Sequence, residues 1–408
     1  MDHRVAVVGA GYAGMAAAVA LAERGIAVTV FESGPVPGGR ARRVTSQGSE
    51  LDNGQHILSG AYSELFRLMR IVGVPGDAVL RVPLELHYAD GFHLRALRLP
   101  YPFGMLGGLL LARGVSFSER LGAIRFMAAM RASDFRLPRD HTVAELLKYH
   151  RQDGAIGHYL WRPLCVSALN TPPAQASAQA FLVVLRDALC GAPRASDLLL
   201  PRVDLSRLFP EPAAEFVTKR GGEIRLRSTV NEIHELKQSF KSVIVAVGPH
   251  QLKALLPQIA TDYAYQPIYT CYLQYPETVM LPSPMLGLSE GLVQWVFDRG
   301  ALTGEKGRLA CVISAQGDHQ QMALDELAQV CHRELARALA GLPEPSWSRV
   351  IAEKRATIAC VPDRKRVSES GIPDVYLAGD YTDPEYPPTL EAAVRSGVRA
   401  AKRVLQAA

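Results

Sequence analysis

Three glycines near the start of the chain, Gly9, Gly11 and Gly14, have the G-x-G-x-x-G spacing of a phosphate-binding turn. Gly9 permits the tight turn, Gly11 lets a pyrophosphate approach the main chain, and Gly14 lets a helix pack closely on a strand. Ala10, Tyr12 and Ala13 between them carry the free N–H groups and the positive dipole end of a helix N-terminus. Glu32, with Ser33 beside it, lies 18 residues after Gly14, where an acid is expected to accept hydrogen bonds from an adenosine ribose. The stretch PVPGGRARR (Pro35 to Arg43) follows directly. Gly38 and Gly39 can bring backbone against a cofactor. Arg40 or Arg42, on either side of Ala41, offers a planar donor fork to its pyrophosphate. A classical NAD domain would instead continue through a second crossover helix, so the pattern points to FAD. A third constellation closes the chain, with Gly379 for close backbone approach and Asp380 for the ribityl or pyrophosphate portion. A helix opening at Pro388-Thr389-Leu390 aims its positive end where negative charge would gather on a reduced flavin.

The elements that must hold these residues are legible around them. RVAVVG (Arg4 to Gly9) reads as a buried parallel strand, and Ala16, Ala17, Ala18 and Ala20 keep the following helix thin. Gly25 is placed to end that helix before a second strand, Ala27 to Phe31. Gly222 to Leu236 reads as paired strand material, and Lys241 to Pro257 as a buried strand, a turn and a helix. Asp374 to Leu405 is a strand, a proline-rich loop and an amphipathic helix. The expected fold is α/β: a Rossmann-like FAD-binding domain from 1–85, 205–258 and 355–408, with an inserted α+β substrate domain from 86–204 and 259–354. The first inserted part reads as helical and the second as richer in strands (YTCYLQY, RLACVIS). With 408 residues the chain can form two domains, since single cores stop growing near about 250–300 residues.

Composition narrows the alternatives. The six cysteines are scattered, with no C-x-x-C pair and no zinc spacing, which predicts unpaired thiols, a reducing compartment and no metal. A strand beginning at Arg4 leaves no room for a signal peptide, and the apolar run Phe103 to Ala112 is too short to span a bilayer. Between Gly91 and Arg139 eight arginines face two acids, a local excess above the whole-chain charge of +5. That is either a solvated basic face or, with the apolar run, a membrane-surface patch. No aromatic interleaving or binding module favours nucleic acid.

The GGR stretch resembles the motif of the amine oxidase, protoporphyrinogen oxidase and carotenoid desaturase flavoprotein superfamily. DNGQHILSGAY (Asp52 to Tyr62), Leu160 to Leu189, Ala195 to Ala213 and the PPTLEAAVRSG ending are similar, more narrowly, to the hydroxysqualene dehydroxylase family of bacterial hopanoid and squalene biosynthesis. Gly248 and Tyr381 depart from it, standing where Pro and Trp are expected. The resemblance implies reductive removal of the hydroxysqualene hydroxyl as water, with FAD as cofactor and a C30 isoprenoid substrate. It also implies a cytoplasmic enzyme, peripheral at the inner face of the membrane. It sets Val230 against the adenine and Gly54, Gln55, His56 and Ile57 beside the isoalloxazine. Loss of water needs an acid. His56 is one candidate, or merely a hydrogen-bonding partner of flavin or backbone. Asp187, in the apolar helix FLVVLRDAL, is the other if it faces the lipid cavity; otherwise it pairs with a neighbouring arginine. Tyr62 and Tyr381 remain as donors or cavity walls. Competing readings are a carotenoid-type desaturase or isomerase, a flavin amine oxidase, and a prenyl-binding escort that needs no flavin.

Overall fold

The computed structural model describes residues 4–46, 48–99, 102–191, 194–259, 261–383 and 385–407. Valine-rich strand Arg4–Val8 lies at the centre of a five-stranded parallel sheet. The order across it is Glu223–Arg225, Ala27–Phe31, Arg4–Val8, Ser242–Val245 and Val375–Leu377. Three distant stretches of chain thus build one sheet. Helix Tyr12–Ala22 leaves the end of the central strand and is buried along almost its whole length. It crosses the C-terminal helix Leu390–Gln406 so closely that a Cβ on Gly397 would lie 2.1 Å from the Ala13 carbonyl oxygen. Small residues at this crossing are therefore a packing requirement.

The C-terminal helix also carries Glu391, fully buried, whose carboxylate accepts the main-chain N–H groups of Glu64 and Leu65 at 3.0 Å each and pairs with Arg395 at 2.8 Å. Burying this charge is tolerable because it caps the open N-terminus of helix Ser63–Ile71.

A second five-stranded sheet is antiparallel, built from Tyr265–Gln274, Met285–Gly287, Trp295–Asp298, Arg308–Ser314 and Trp347–Ile358. Its longest pairing slips at Gln266/Ile268, where the Trp347–Ile358 strand carries extra residues. Helices Phe103–Leu111, Phe117–Ala132, Val143–Tyr149, Arg162–Leu169 and Ala178–Leu189 fill the stretch before it. Expected strand Gly222 to Leu236 is strand only over Glu223–Arg225; Ile233–Ser239 is a helix. Ile233, Leu236 and Phe240 recur at spacings of three and four and join one apolar cluster, so the helical period prevails over strand alternation. All six cysteines are free, and five are buried. Among the described residues no His/Cys/Asp/Glu group suits a metal, and no helix is long and apolar enough to cross a membrane.

Candidate active site

One cavity of about 1030 Å³ runs from the end of the parallel sheet to the inner face of the antiparallel one. At the first end the strand Arg4–Val8 turns through Gly9, at φ +103°, into a helix whose N-cap, Gly11, supplies no side-chain cap. The N–H groups of that helix therefore face the cavity without an internal partner. A Cβ on Gly11 would have only the Gly39 Cα near it, at 3.8 Å, so the glycine opens space. One on Gly9 would press on the Ala246 oxygen at 2.8 Å. Gly39 itself, at φ +63°, closes over Gly11.

Gly9, Gly11, Tyr12, Ala13, Glu32, Ser33, Gly38, Gly39, Arg40, Ala41, Arg42, Gly54, Gln55, His56, Ile57, Val230, Gly379, Asp380, Pro388, Thr389 and Leu390 all lie on this cavity. Ala10 and Gly14 do not. Ala10 is wholly buried with its N–H on Glu32, and a Cβ on Gly14 would sit 1.9 Å from the Gly9 oxygen. They shape the turn from behind. Glu32 lies on the cavity, but its two carboxylate oxygens already accept the N–H of Ala10 at 2.8 Å and of Gly34 at 2.7 Å. It braces the glycine loop as well as facing the space where a ribose would lie.

The arginines are likewise anchored. Arg42 donates to the Gly39 oxygen at 2.7 Å. Arg40 donates to the Ala356 oxygen at 2.9 Å and to Asp380 Oδ2 at 2.7 Å. Asp380 is buried, and its other oxygen, Oδ1, has no partner among the described residues. An unsatisfied buried carboxylate oxygen is costly and implies a missing donor. An orphaned acceptor, an uncapped helix and a glycine cradle together fit a dinucleotide whose ribityl hydroxyls and phosphates would supply the partners. The C-terminal helix adds its own N-terminus, where Thr389 caps the Ala392 N–H at 3.2 Å.

The far end of the cavity is apolar. Leu84, Leu86, Leu164, Leu185, Ile268, Met285, Trp295, Phe297 and Val312 line it, with few polar groups among them. His56 lies on the cavity, and its Nδ1 is 2.6 Å from the Gly54 carbonyl oxygen. A carbonyl can only accept, so Nδ1 carries the proton and Nε2 presents a lone pair. Burial pushes the imidazole pKa below its ordinary value, only partly countered by that hydrogen bond. The ring is thus held neutral near pH 7, which suits an acceptor better than an acid.

Asp187 is not on the cavity wall. Helix Ala178–Leu189 turns Val184, Leu185, Ala188 and Leu189 inward, while Asp187 pairs with Arg186 at 2.7 Å and hydrogen-bonds the Tyr386 hydroxyl. In the structure Asp187 thus takes the arginine pairing that its sequence position left open, and it faces away from the cavity. Tyr62 lies on the cavity, with its phenol kept protonated by burial; Tyr381 is buried behind Asp380, off the cavity.

Several cavity residues carried no motif signal. Asn53 joins the Arg40 oxygen and Glu353 at 2.9 and 2.8 Å. Arg355, Ala356 and Thr357 line the cavity in succession because the slipped pairing breaks strand alternation. Asn170, left-handed at φ 44°, is fixed from four sides by Gln266, Pro267, Thr357 and Ala315. Beneath Gln55, buried Arg299 donates to its Oε1 at 3.1 Å, lies 3.7 Å from Asp52 and pairs with Glu305 at 2.7 Å.

Comparison with known proteins agrees with this geometry. The chain is 27% identical to hydroxysqualene dehydroxylase of Sinorhizobium fredii over 435 residues, covering 99% of each chain. It is 27% identical to that of Rhodopseudomonas palustris over 439 residues, covering 100% of this chain and 99% of the relative. The fold superposes on cyclohexylamine oxidase from Brevibacterium oxydans with a TM-score of 0.70 at 17% identity, covering 100% and 99% of the two chains. The model of the flavin containing amine oxidoreductases matches residues 12–405. The chain belongs to the flavin containing amine oxidoreductase family.

Proposed function

We propose that this protein is an FAD-dependent oxidoreductase that removes the hydroxyl of hydroxysqualene to give squalene and water. The observation that carries the reading is the continuity of the cavity, from a glycine cradle with an orphaned Asp380 oxygen to a long wall of leucine, tryptophan and phenylalanine. Such a wall suits a C30 hydrocarbon chain with one polar group, and the similarity to dehydroxylases over nearly the whole chain supports the same substrate. The FAD would rest on Gly9, Gly11 and Gly39, with the helix N-terminus at Tyr12 toward its phosphates and Asp380 on its ribityl chain. What reduced FAD supplies when bound is a hydride for the carbon that loses its hydroxyl.

The chain's own residues would do the rest. The substrate alcohol is allylic, so its protonation releases water and leaves a delocalised cation, which the dry apolar wall protects from recapture. Neutral His56, with its Nε2 lone pair, would accept the substrate O–H and fix the carbon's position. The Tyr62 phenol, which burial keeps protonated, would donate a hydrogen bond to the departing oxygen, and the proton that leaves with it as water would be drawn from solvent at the cavity mouth. A substrate this apolar would be drawn from the inner face of the cell membrane, where the protein would act as a peripheral enzyme. The FAD-binding unit in this reading is 1–85, 205–258 and 355–408, and the substrate unit 86–204 and 259–354.

The test is anaerobic incubation of the photoreduced holoprotein with hydroxysqualene. Squalene formed with stoichiometric flavin reoxidation is the expected result. No squalene, with desaturation of a carotene or oxidation of an amine under air, would move the assignment to those activities. A colourless protein that cannot be reconstituted with FAD would refute all of them.

A further inference from the structure

We propose that the face formed by strand His93–Arg95 and helices Phe103–Leu111 and Phe117–Ala132 is a docking surface for an anionic lipid bilayer, placed to feed the apolar end of the cavity. It deepens the lipid-substrate reading by naming the partner surface. Its test does not depend on which lipid reacts.

Ten large apolar side chains stand out as exposed among the described residues, and six of them fall between positions 97 and 117: Leu97, Leu99, Phe103, Leu110, Leu111 and Phe117. Phe103, Leu111 and Phe117 are 62, 66 and 64% exposed. Water-facing phenylalanine and leucine at this density, concentrated on one short stretch, mark an interaction surface rather than ordinary scatter. The helix Phe103–Leu111 carries no charge at all, and it packs back on its own hairpin through glycines. A Cβ on Gly108 would lie 2.6 Å from the Arg95 carbonyl oxygen, and one on Gly104 at 2.6 Å from that of Leu97. The glycines and Leu109 press the helix flat on the protein, and Phe103, Leu110 and Leu111 point outward.

Charge selects the occupant. Between Asp90 and Glu119 the sequence contains no acidic residue, while Arg95, Arg98 and Arg113 are exposed around the patch. The bordering acids are engaged: Glu85 holds His93 at 2.7 Å, and Glu119 caps its own helix through Ser116. Arg120 turns inward to the Leu110 and Val115 oxygens. An apolar centre with an arginine rim is complementary to acyl chains beneath anionic headgroups.

Position links the patch to the site. Leu84 and Leu86 form part of the cavity's apolar wall. Strand Glu85–His87, which carries Leu86, pairs with His93–Arg95, and the Ala96 N–H donates to the Leu84 oxygen at 2.8 Å. The exposed helix packs directly on that second strand, so a single layer of protein separates bilayer-facing leucines from the cavity.

Vesicle flotation tests the proposal on the holoprotein. Wild type should float with phosphatidylglycerol-containing vesicles and much less with phosphatidylcholine alone. Phe103→Asp/Leu111→Asp/Phe117→Asp, all solvent-facing, should lower partitioning by on the order of a hundredfold or more. The same variant should keep its flavin absorbance and its turnover of detergent-dispersed substrate. Arg98→Ser/Arg113→Ser should reduce binding to anionic vesicles selectively. Wild type left unbound, the triple variant floating as well as wild type, or a patch that instead drives concentration-dependent self-association would each overturn the assignment. Flotation without squalene formation would leave the docking intact and defeat only the substrate reading.

Discussion

Asp380→Ala should weaken FAD binding substantially, and the structure sets the scale. Asp380 is 4% exposed; one carboxylate oxygen is 2.7 Å from Arg40, and the other has no partner among the described residues. In the proposed pose that second oxygen accepts a flavin-chain hydroxyl. A hydrogen bond to a charged group contributes about 1.5–3 kcal/mol net, against about 0.5–1.5 kcal/mol for a neutral pair. Alanine removes the whole contact, so the dissociation constant should rise roughly 10- to 150-fold. Asparagine keeps the shape and loses only the charge, which predicts a rise of about tenfold. The lost Arg40 pair costs the apoprotein less than a fully buried bridge would, about 1–2 kcal/mol, because Arg40 is one-third exposed to a polar cavity mouth. Titration of deflavinated protein with FAD, read by flavin fluorescence, separates the variants, and near-ultraviolet circular dichroism reports whether the apoprotein is folded. Alanine and asparagine variants that bind FAD within twofold of wild type would refute the reasoning, since the orphaned oxygen would then have no flavin partner.

Other residues give sharper contrasts. Burial raises the Asp52 carboxyl from 3.8 to about 6, despite the Leu205 N–H and Arg299 beside it. The folded state therefore binds more protons than the unfolded state between those values, and stability falls as pH rises through them, by about 3 kcal/mol in all. Asp52→Asn should flatten that slope in urea unfolding from pH 4 to 7; an unchanged slope would assign it to another group. Ala188→Phe, on the cavity face of its helix, should cut turnover by on the order of tenfold or more while leaving the flavin spectrum intact. Asp187→Asn, one residue away but turned toward Arg186 and Tyr386, should keep turnover within about threefold and cost about 1 kcal/mol in thermal unfolding.

The contrast between these two neighbours shows where sequence reasoning succeeds. Gly9, Gly11, Gly39 and Asp380 are legible because their roles are local: a turn, a close approach and a strand end need particular residue types. The third glycine, Gly14, is a packing residue for the same local reason. Asp187 was ambiguous only while the helix lacked a phase. At about 100° per residue, it lies roughly 130° from the centre of the arc formed by Val184, Leu185, Ala188 and Leu189. Ala356, exposed to the cavity between Arg355 and Thr357, was not legible at all. Its exposure depends on a slipped pairing with Tyr265–Gln274, some ninety residues away, that no local pattern encodes. The lowered pKa of His56 is likewise a product of burial, against the opposing pull of the Gly54 carbonyl, rather than of its motif.

The parallel sheet has a consequence for synthesis. Its central strand, Arg4–Val8, is made more than two hundred residues before its neighbour Ser242–Val245 and well over three hundred before the outer Val375–Leu377. The helix that packs against Ala13 and presents Thr389 follows later still. At about 5–20 residues per second, the glycine turn waits roughly 20–80 s for the pieces that complete it. Through that interval the apolar cavity has only part of its wall, and the flavin only part of its cradle. Flavin capture must therefore wait until the residues around Thr389 and Gly397 have emerged, and until then the unfinished apolar interior is exposed to aggregation.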